Sequence, residues 1–213
     1  MTDIIEQFKQ FRIIPVVTIP EPEIAQPLAD ALLAGGLPCV EITFRTAAAE
    51  EALRILGQRM ELLLGAGTIL NLDQVKSAVD AGARFIVTPG FHPGVVEYCL
   101  SNNIPVFPGT STATDLIMAV EYDLKVVKFF PAEALGGVKT LKALSAPFPM
   151  LGFIPTGGIQ AENLSDYLAL PQVVACGGSW LVKTDLLRNR QFDQITELTR
   201  EAVHLVSQMK KSG

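Results

Sequence analysis

Residues 85–107 run Phe85-Ile86-Val87-Thr88, then Pro89-Gly90, then an amphipathic stretch from Pro93 to Ser101, then Pro105-Val106-Phe107. The two ends are short and apolar at nearly every position. A strand with water on one face alternates apolar and polar residues, so a continuous run fits a parallel strand buried on both faces. Parallel neighbours need a crossover of a dozen or more residues, usually a helix. The segment therefore predicts one strand–helix–strand unit.

The same alternation extends in both directions. Upstream lie the apolar runs Ile13–Ile19, Cys39–Thr43 and Glu61–Gly65, and downstream Val126–Phe129, Met150–Pro155 and Val173–Cys176. The segments Pro22–Ala34, Ala47–Gln58, Leu72–Ala81, Ala113–Glu121, Gly137–Ser145, Ala161–Ala169 and Phe192–Met209 read as helices. Asn71 supplies an N-cap with Gln74 three residues on, and Gly35, Gly57 and Gly82 stand near helix C-termini. Eight strands and eight helices without a linker predict a single α/β domain over residues 1–213, a closed (β/α)8 TIM barrel. The residues before Ile13 are an extra N-terminal helix placed to plug its bottom. The alternative is an open doubly wound sheet, but no G-x-G-x-x-G follows the first strand.

Composition narrows the function. The 213 residues carry 17 Lys plus Arg and 22 Asp plus Glu, a net charge of −5. Charged residues are 18% of the chain, against about 25% in an ordinary soluble domain. An acidic chain without a basic tract is a poor nucleic-acid binder. A chain this apolar is not disordered. The N-terminus has acids at Asp3 and Glu6 and no apolar leader core. The longest uncharged stretch, Ala143–Ala161, is interrupted by Pro147, Pro149, Pro155, Gly152, Gly157 and Gly158, so no membrane span is expected. Cys39, Cys99 and Cys176 are odd in number and far apart, as free thiols of a reducing cytoplasm are. Only His92 and His204 are available as imidazole ligands. A catalytic zinc site usually takes two or three, which disfavours a metal-dependent mechanism, although carboxylates could still hold Mg²⁺; no metal and no cofactor are the expectation.

A barrel of this kind works at the C-terminal ends of its strands. Lys128 lies between Val126-Val127 and Phe129-Phe130. Burial disfavours an ammonium, and a neutral amine is a nucleophile that forms a Schiff base with a ketone or aldehyde. A structural ion pair is the other reading. Glu41, between Val40 and Ile42, is suited to move protons beside that lysine, or else to pair with Arg45. Arg45 offers a planar fork to a substrate carboxylate, or is simply a loop charge. Gly157-Gly158 and Gly177-Gly178 read as turns after the seventh and eighth strands, where barrels hold phosphate on backbone N–H groups, with Ser179 adding a hydroxyl. An amine, an acid/base, a carboxylate clamp and a phosphate cradle describe an enzyme for a phosphorylated keto acid.

Five blocks resemble one family in its own order. They are Val40-Glu41-Ile42-Thr43-Phe44-Arg45-Thr46, Gly65-Ala66-Gly67-Thr68, Lys128-Phe129-Phe130-Pro131-Ala132-Glu133, Pro155-Thr156-Gly157-Gly158-Ile159 and Gly177-Gly178-Ser179-Trp180-Leu181. From about Ile13 to the C-terminal helix the chain is similar to the 2-keto-3-deoxy-6-phosphogluconate (KDPG) aldolases, class I aldolases of the Entner–Doudoroff pathway. The resemblance implies that Lys128 is the Schiff-base lysine and that Glu41 is the general acid/base working through water. It implies that Arg45 and Thr68 hold the pyruvyl carboxylate. Phe130, Pro89 and Thr156 surround the bound ketone. Gly157, Gly158, Gly178 and Ser179 form the phosphate end. It further implies a homotrimer without metal, a small-molecule phosphorylated keto acid as partner, and a second substrate, 4-hydroxy-2-oxoglutarate. The galactonate-specific sister family tends to read E-I-P-L-N-S and K-I-F-P-S where this chain has Glu41–Thr46 and Lys128–Ala132, and at both places the chain sides with the gluconate enzymes. His92, in the variable segment after the fourth strand, is assigned no role. Two rivals remain. A phosphate-binding barrel without catalysis would not need both Lys128 and Glu41. A phosphosugar isomerase or synthase would keep the glycine turns without a lysine in the sixth strand.

Overall fold

The computed structural model describes residues 2–211. Helix α1 (Thr2–Phe11) precedes the strands β1 (Ile13–Val17), β2 (Cys39–Thr43), β3 (Leu63–Gly67), β4 (Phe85–Val87), β5 (Val106–Phe107), β6 (Gly109–Thr110), β7 (Val126–Phe129), β8 (Gly152–Pro155) and β9 (Cys176–Gly178). Between and after them run α2 (Ala25–Ala34), α3 (Ala49–Leu56), α4 (Leu72–Asp80), α5 (Pro93–Ser101), α6 (Ala113–Glu121), α7 (Gly137–Ser145), α8 (Ala161–Leu168), α9 (Thr184–Arg188) and α10 (Phe192–Lys211).

The fold is α/β with parallel sheets. Six strands lie in the order β5-β4-β3-β2-β1-β9 and form a half-barrel, and three more lie in the order β6-β7-β8. The strand pairs are parallel throughout. β5 and β6 are two halves of one run split at Pro108, whose carbonyl accepts from Lys128 N–H at 2.9 Å. β8 is bridged in parallel to the chain on its other side at Phe153–Val173 and Thr156–Gly177. Every residue of β2 and β3 is buried, as continuously apolar runs require.

The apolar side chains divide into two clusters. The larger lies on the helix side and contains Val40, Ile42, Leu64, Ala66, Val127 and Phe129. The smaller gathers Cys39, Leu63, Phe85, Phe107, Val126 and Ile154 from the opposite face of the strands, together with Ile5 and Phe8 of α1. Phe8 meets Phe85 edge-on with ring centroids 5.1 Å apart and Phe107 at 5.2 Å. Strand side chains alternate faces, so residues two further on from Cys39, Val126 and Ile154 point to the same side. Those residues are Glu41, Lys128 and Thr156. The small cluster occupies one end of that interior, and the ionisable layer lies toward the strands' C-termini.

Several boundaries differ from the sequence reading: the first strand stops at Val17 and β8 starts at Gly152, and three other strands differ in ways that bear on the site. The third strand is Leu63–Gly67 rather than Glu61–Gly65, because a glycine-rich tail can pair as well as an apolar one. The fifth continues past Pro108 as β6. The last strand is Cys176–Gly178, so Gly177-Gly178 is not a turn. Gly177 pairs with Ile14 and Gly178 with Pro15. Glycine is needed there for space rather than for a bend, since a Cβ at Gly177 would run into the Thr156 side chain and one at Gly178 into the Trp180 ring. At α4 the side chain of Asn71 accepts from Gln74 N–H at 2.9 Å, and Gln74 accepts in return from Leu70 N–H rather than from the cap residue itself. The short α9 was not anticipated from the sequence.

Candidate active site

Glu41 and Lys128 enter the interior from strands β2 and β7. Both are almost wholly buried, at 3% and 4% exposure. Lys128 Nζ stands 3.8 Å from Glu41 Oε1, and Oε1 has no hydrogen-bond partner among the described residues. The separation is longer than a hydrogen bond, so the amine and the carboxylate face each other without being locked together. Gly67 of β3 makes the space. A Cβ there would collide with the Glu41 carboxylate, and Glu41 Cδ would lie only 2.5 Å away. Lys128 Nζ also lies 5.1 Å from the centroid of the Phe130 ring.

Phe130 in turn lines a cavity of about 470 Å³. Thr156, Gly157, Gly158 and Ser179 form part of its wall, and Arg45 another part. Lys128 and Glu41 do not themselves line this cavity; the pair stands one aromatic ring away from it. Arg45 is exposed and donates from Nε to Thr68 Oγ1 at 3.0 Å. That bond fixes the guanidinium's azimuth and leaves its terminal N–H groups to an anion. Thr68 itself has φ +56°, a left-handed backbone that a β-branched residue rarely adopts. Thr68, Pro89 and Gly178 are not among the residues lining the cavity.

The Gly157-Gly158 turn does follow a strand as the sequence suggests. Its φ values are +98° and +81°, in the region glycine occupies freely. A Cβ on Gly158 would lie 2.6 Å from Glu133 Cβ. Glu133 supports the turn from beneath. Its N–H donates to Gly157 O at 3.0 Å, and its carboxylate accepts from the buried Tyr167 hydroxyl. Burial and the Glu133 carboxylate both push the Tyr167 hydroxyl's pKa up. Asn163 Nδ2 adds a bond to Gly158 O at 3.1 Å.

Lys183, Thr184 and Asp185 also line the cavity, and the sequence reading gave them no role. They follow the buried Trp180-Leu181-Val182 directly, and the abrupt change from apolar to polar there was the available signal. Gly67 stood inside a quoted motif, but nothing in the sequence indicated that it makes room for Glu41. His92 caps α5, accepting from Val95 N–H at 3.2 Å.

A family model described as aldolase, KDPG and KHG aldolase, matches residues 4–198. The chain is 46% identical over 210 residues to the 2-dehydro-3-deoxy-phosphogluconate aldolase of Treponema pallidum, across 98% of this chain and 100% of that one. It is 45% identical over 192 residues to the KHG/KDPG aldolase of Escherichia coli K12, across 90% of each. Among solved structures it superimposes with a TM-score of 0.88 on the KDPG aldolase of Legionella pneumophila with pyruvate captured as a covalent carbinolamine. That match is 40% identical and covers 92% of this chain and 95% of the other. With a match that spans nearly its whole length, the chain belongs to the KDPG and KHG aldolase family and is a lyase.

Proposed function

We propose that the chain is a class I aldolase that cleaves 2-keto-3-deoxy-6-phosphogluconate to pyruvate and D-glyceraldehyde 3-phosphate through a Schiff base on Lys128. The observation that carries this reading is the buried pair of Lys128 and Glu41, 3.8 Å apart on strands that neither sequence proximity nor a helix brings together. A buried amine beside a carboxylate is what iminium chemistry requires, because the amine must be nucleophilic and protons must be moved at the adjacent carbons. The captured pyruvate adduct of the Legionella relative is in keeping with it.

The steps follow from that pair. The Lys128 amine attacks C2 of the ketone, and Glu41 supplies the proton with which the carbinolamine loses water to become an iminium. Glu41, through a water, then accepts the proton of the C4 hydroxyl. The C3–C4 bonding pair flows into the iminium, C4 leaves as the aldehyde, and an enamine remains on Lys128. Protonation at C3 and addition of water release pyruvate and restore the amine. Arg45, steered by Thr68, binds the carboxylate of the pyruvyl part, and Phe130, Pro89 and Thr156 enclose the ketone. Gly157, Gly158, Gly178 and Ser179 form the phosphate end. Neither a metal nor a cofactor is called for in this sequence of steps.

The same reading extends to 4-hydroxy-2-oxoglutarate, which has the ketone and the C4 hydroxyl but no phosphate; the E. coli relative's name covers both substrates. It takes residues 1–213 as one domain. The parallel run β5–β6 that joins the two sheets, and the parallel bridges Phe153–Val173 and Thr156–Gly177 at β8 and β9, favour closure into a (β/α)8 barrel with α1 at its base. It places the protein in the cytoplasm, and among the described residues no helix is long and apolar enough to cross a membrane. It takes the assembly as a homotrimer. Leu70, Leu72, Ile117 and Val120 are large apolar side chains exposed on the single chain, and a subunit contact is the means of covering them.

Borohydride reduction in the presence of pyruvate tests the core of the proposal. The expected result is a stable adduct on Lys128, found by peptide mapping. Absence of any adduct, or an adduct on another lysine in the intact enzyme, overturns it.

A further inference from the structure

The cavity holds a cation that the proposed chemistry does not use. Ser179 starts a single 3-10 turn, closed by Val182 N–H donating to Ser179 O at 3.1 Å, and Lys183 ends it. Trp180, Leu181 and Val182 are buried, whereas Ser179 and Lys183 are both exposed and both line the cavity. The turn therefore presents two polar residues, four positions apart, to the same space. Lys183 takes part in no ion pair among the described residues. Asp185 lies at the same rim without reaching it. An unneutralised ammonium beside a hydroxyl and a glycine turn is a donor set for a phosphate. The cavity's other cation, Arg45, belongs to the opposite need, since a phosphorylated keto acid carries one anion at each end.

We propose that Lys183 is a specificity-determining residue, contributing a cationic contact to the substrate's phosphate at the Ser179 end of the cavity and so favouring phosphorylated over unphosphorylated keto acids. This inference rests on the reading of that cavity as the place where the phosphate of the aldol substrate binds. Its contribution is that of a solvent-exposed charge, modest and sensitive to salt.

The experiment compares kcat/KM for 2-keto-3-deoxy-6-phosphogluconate with that for 4-hydroxy-2-oxoglutarate in the intact enzyme and in Lys183→Ala, Lys183→Arg and Ser179→Ala. The ratio of the two is expected to fall about 1.5–5-fold in Lys183→Ala, on the scale of an exposed ion pair. The loss should appear mainly in KM and shrink at high salt, and Lys183→Arg should restore most of it. A lowered ratio in Ser179→Ala with an unchanged ratio in Lys183→Ala overturns the role of the lysine and leaves the phosphate end where it is. Unchanged ratios in both variants overturn the lysine's role together with the placement of the phosphate.

Discussion

A single atom explains why β3 ends in glycine. Gly67 has no Cβ, and the Glu41 carboxylate stands where that Cβ would be. Gly67→Ala is therefore expected to push Glu41 away from Lys128. Misplacing a catalytic group by about 1 Å costs on the order of 10²-fold, so kcat should fall by about that factor while borohydride trapping on Lys128 persists. A variant with wild-type kcat would show that Glu41 need not be held there. Glu41→Gln, which keeps the shape and removes the proton acceptor, should lower kcat by about 10²–10⁴-fold, the usual scale of general acid/base loss. Lys128→Ala should abolish both turnover and trapping by pyruvate, and turnover surviving in it would exclude the Schiff base. The sequence made Glu41 and Lys128 legible because a charge inside a continuously apolar strand is costly and so conspicuous. It could not reveal Gly67's task, because glycine in a motif is silent about which side chain claims the vacated space.

At the scale of elements, the turn after β8 and the helix before β1 each do work that the local pattern only half discloses. Gly158 combines a left-handed φ of +81° with contact against Glu133, so Gly158→Ala must shift the turn. It is expected to reduce kcat/KM more for the phosphorylated substrate than for 4-hydroxy-2-oxoglutarate, and equal losses would argue against a phosphate role. Helix α1 seats Phe8 between Phe85 and Phe107 with no exposure to solvent. Phe8→Ala should destabilise the chain by about 3–5 kcal/mol, the range for a buried aromatic truncation, measured by urea unfolding. A loss under 1 kcal/mol would mean that the helix is not part of the cooperative core. The sequence misjudged β9, reading Gly177-Gly178 as a turn. Local statistics associate paired glycines with bends, whereas here Thr156 and Trp180 crowd a strand until only glycine fits.

The whole molecule also stores a dependence on pH. Burial pushes the Cys99 thiol up to about 11 from its ordinary value of 9.0 and raises those of Cys39 and Cys176 as well. The Tyr167 hydroxyl moves the same way, held up by burial and by Glu133. A folded-state pKa above the unfolded one means that the native state keeps its proton longer, so stability is intact below about pH 9 and falls as pH rises through 11. Urea midpoints taken from pH 7 to pH 11 should fall only above pH 9, and a flat profile would contradict the burial of these groups. In the native enzyme the three thiols should react slowly with alkylating reagents at pH 8, and rapidly once unfolded.

What the amino-acid sequence determined by itself was the class of the fold and the two buried ionisable residues on which the proposed chemistry rests. Strand and helix periodicity is set by local backbone geometry, and an amine and a carboxylate in apolar strands announce themselves by their cost. What only the tertiary structure decided was distance and vacancy: the 3.8 Å between Lys128 and Glu41, the space that Gly67 leaves for a carboxylate, and the meeting of Arg45 and Lys183 at one cavity. Those depend on the register between strands far apart in the chain and on which side chains compete for one volume. Neither is encoded in any short window of residues.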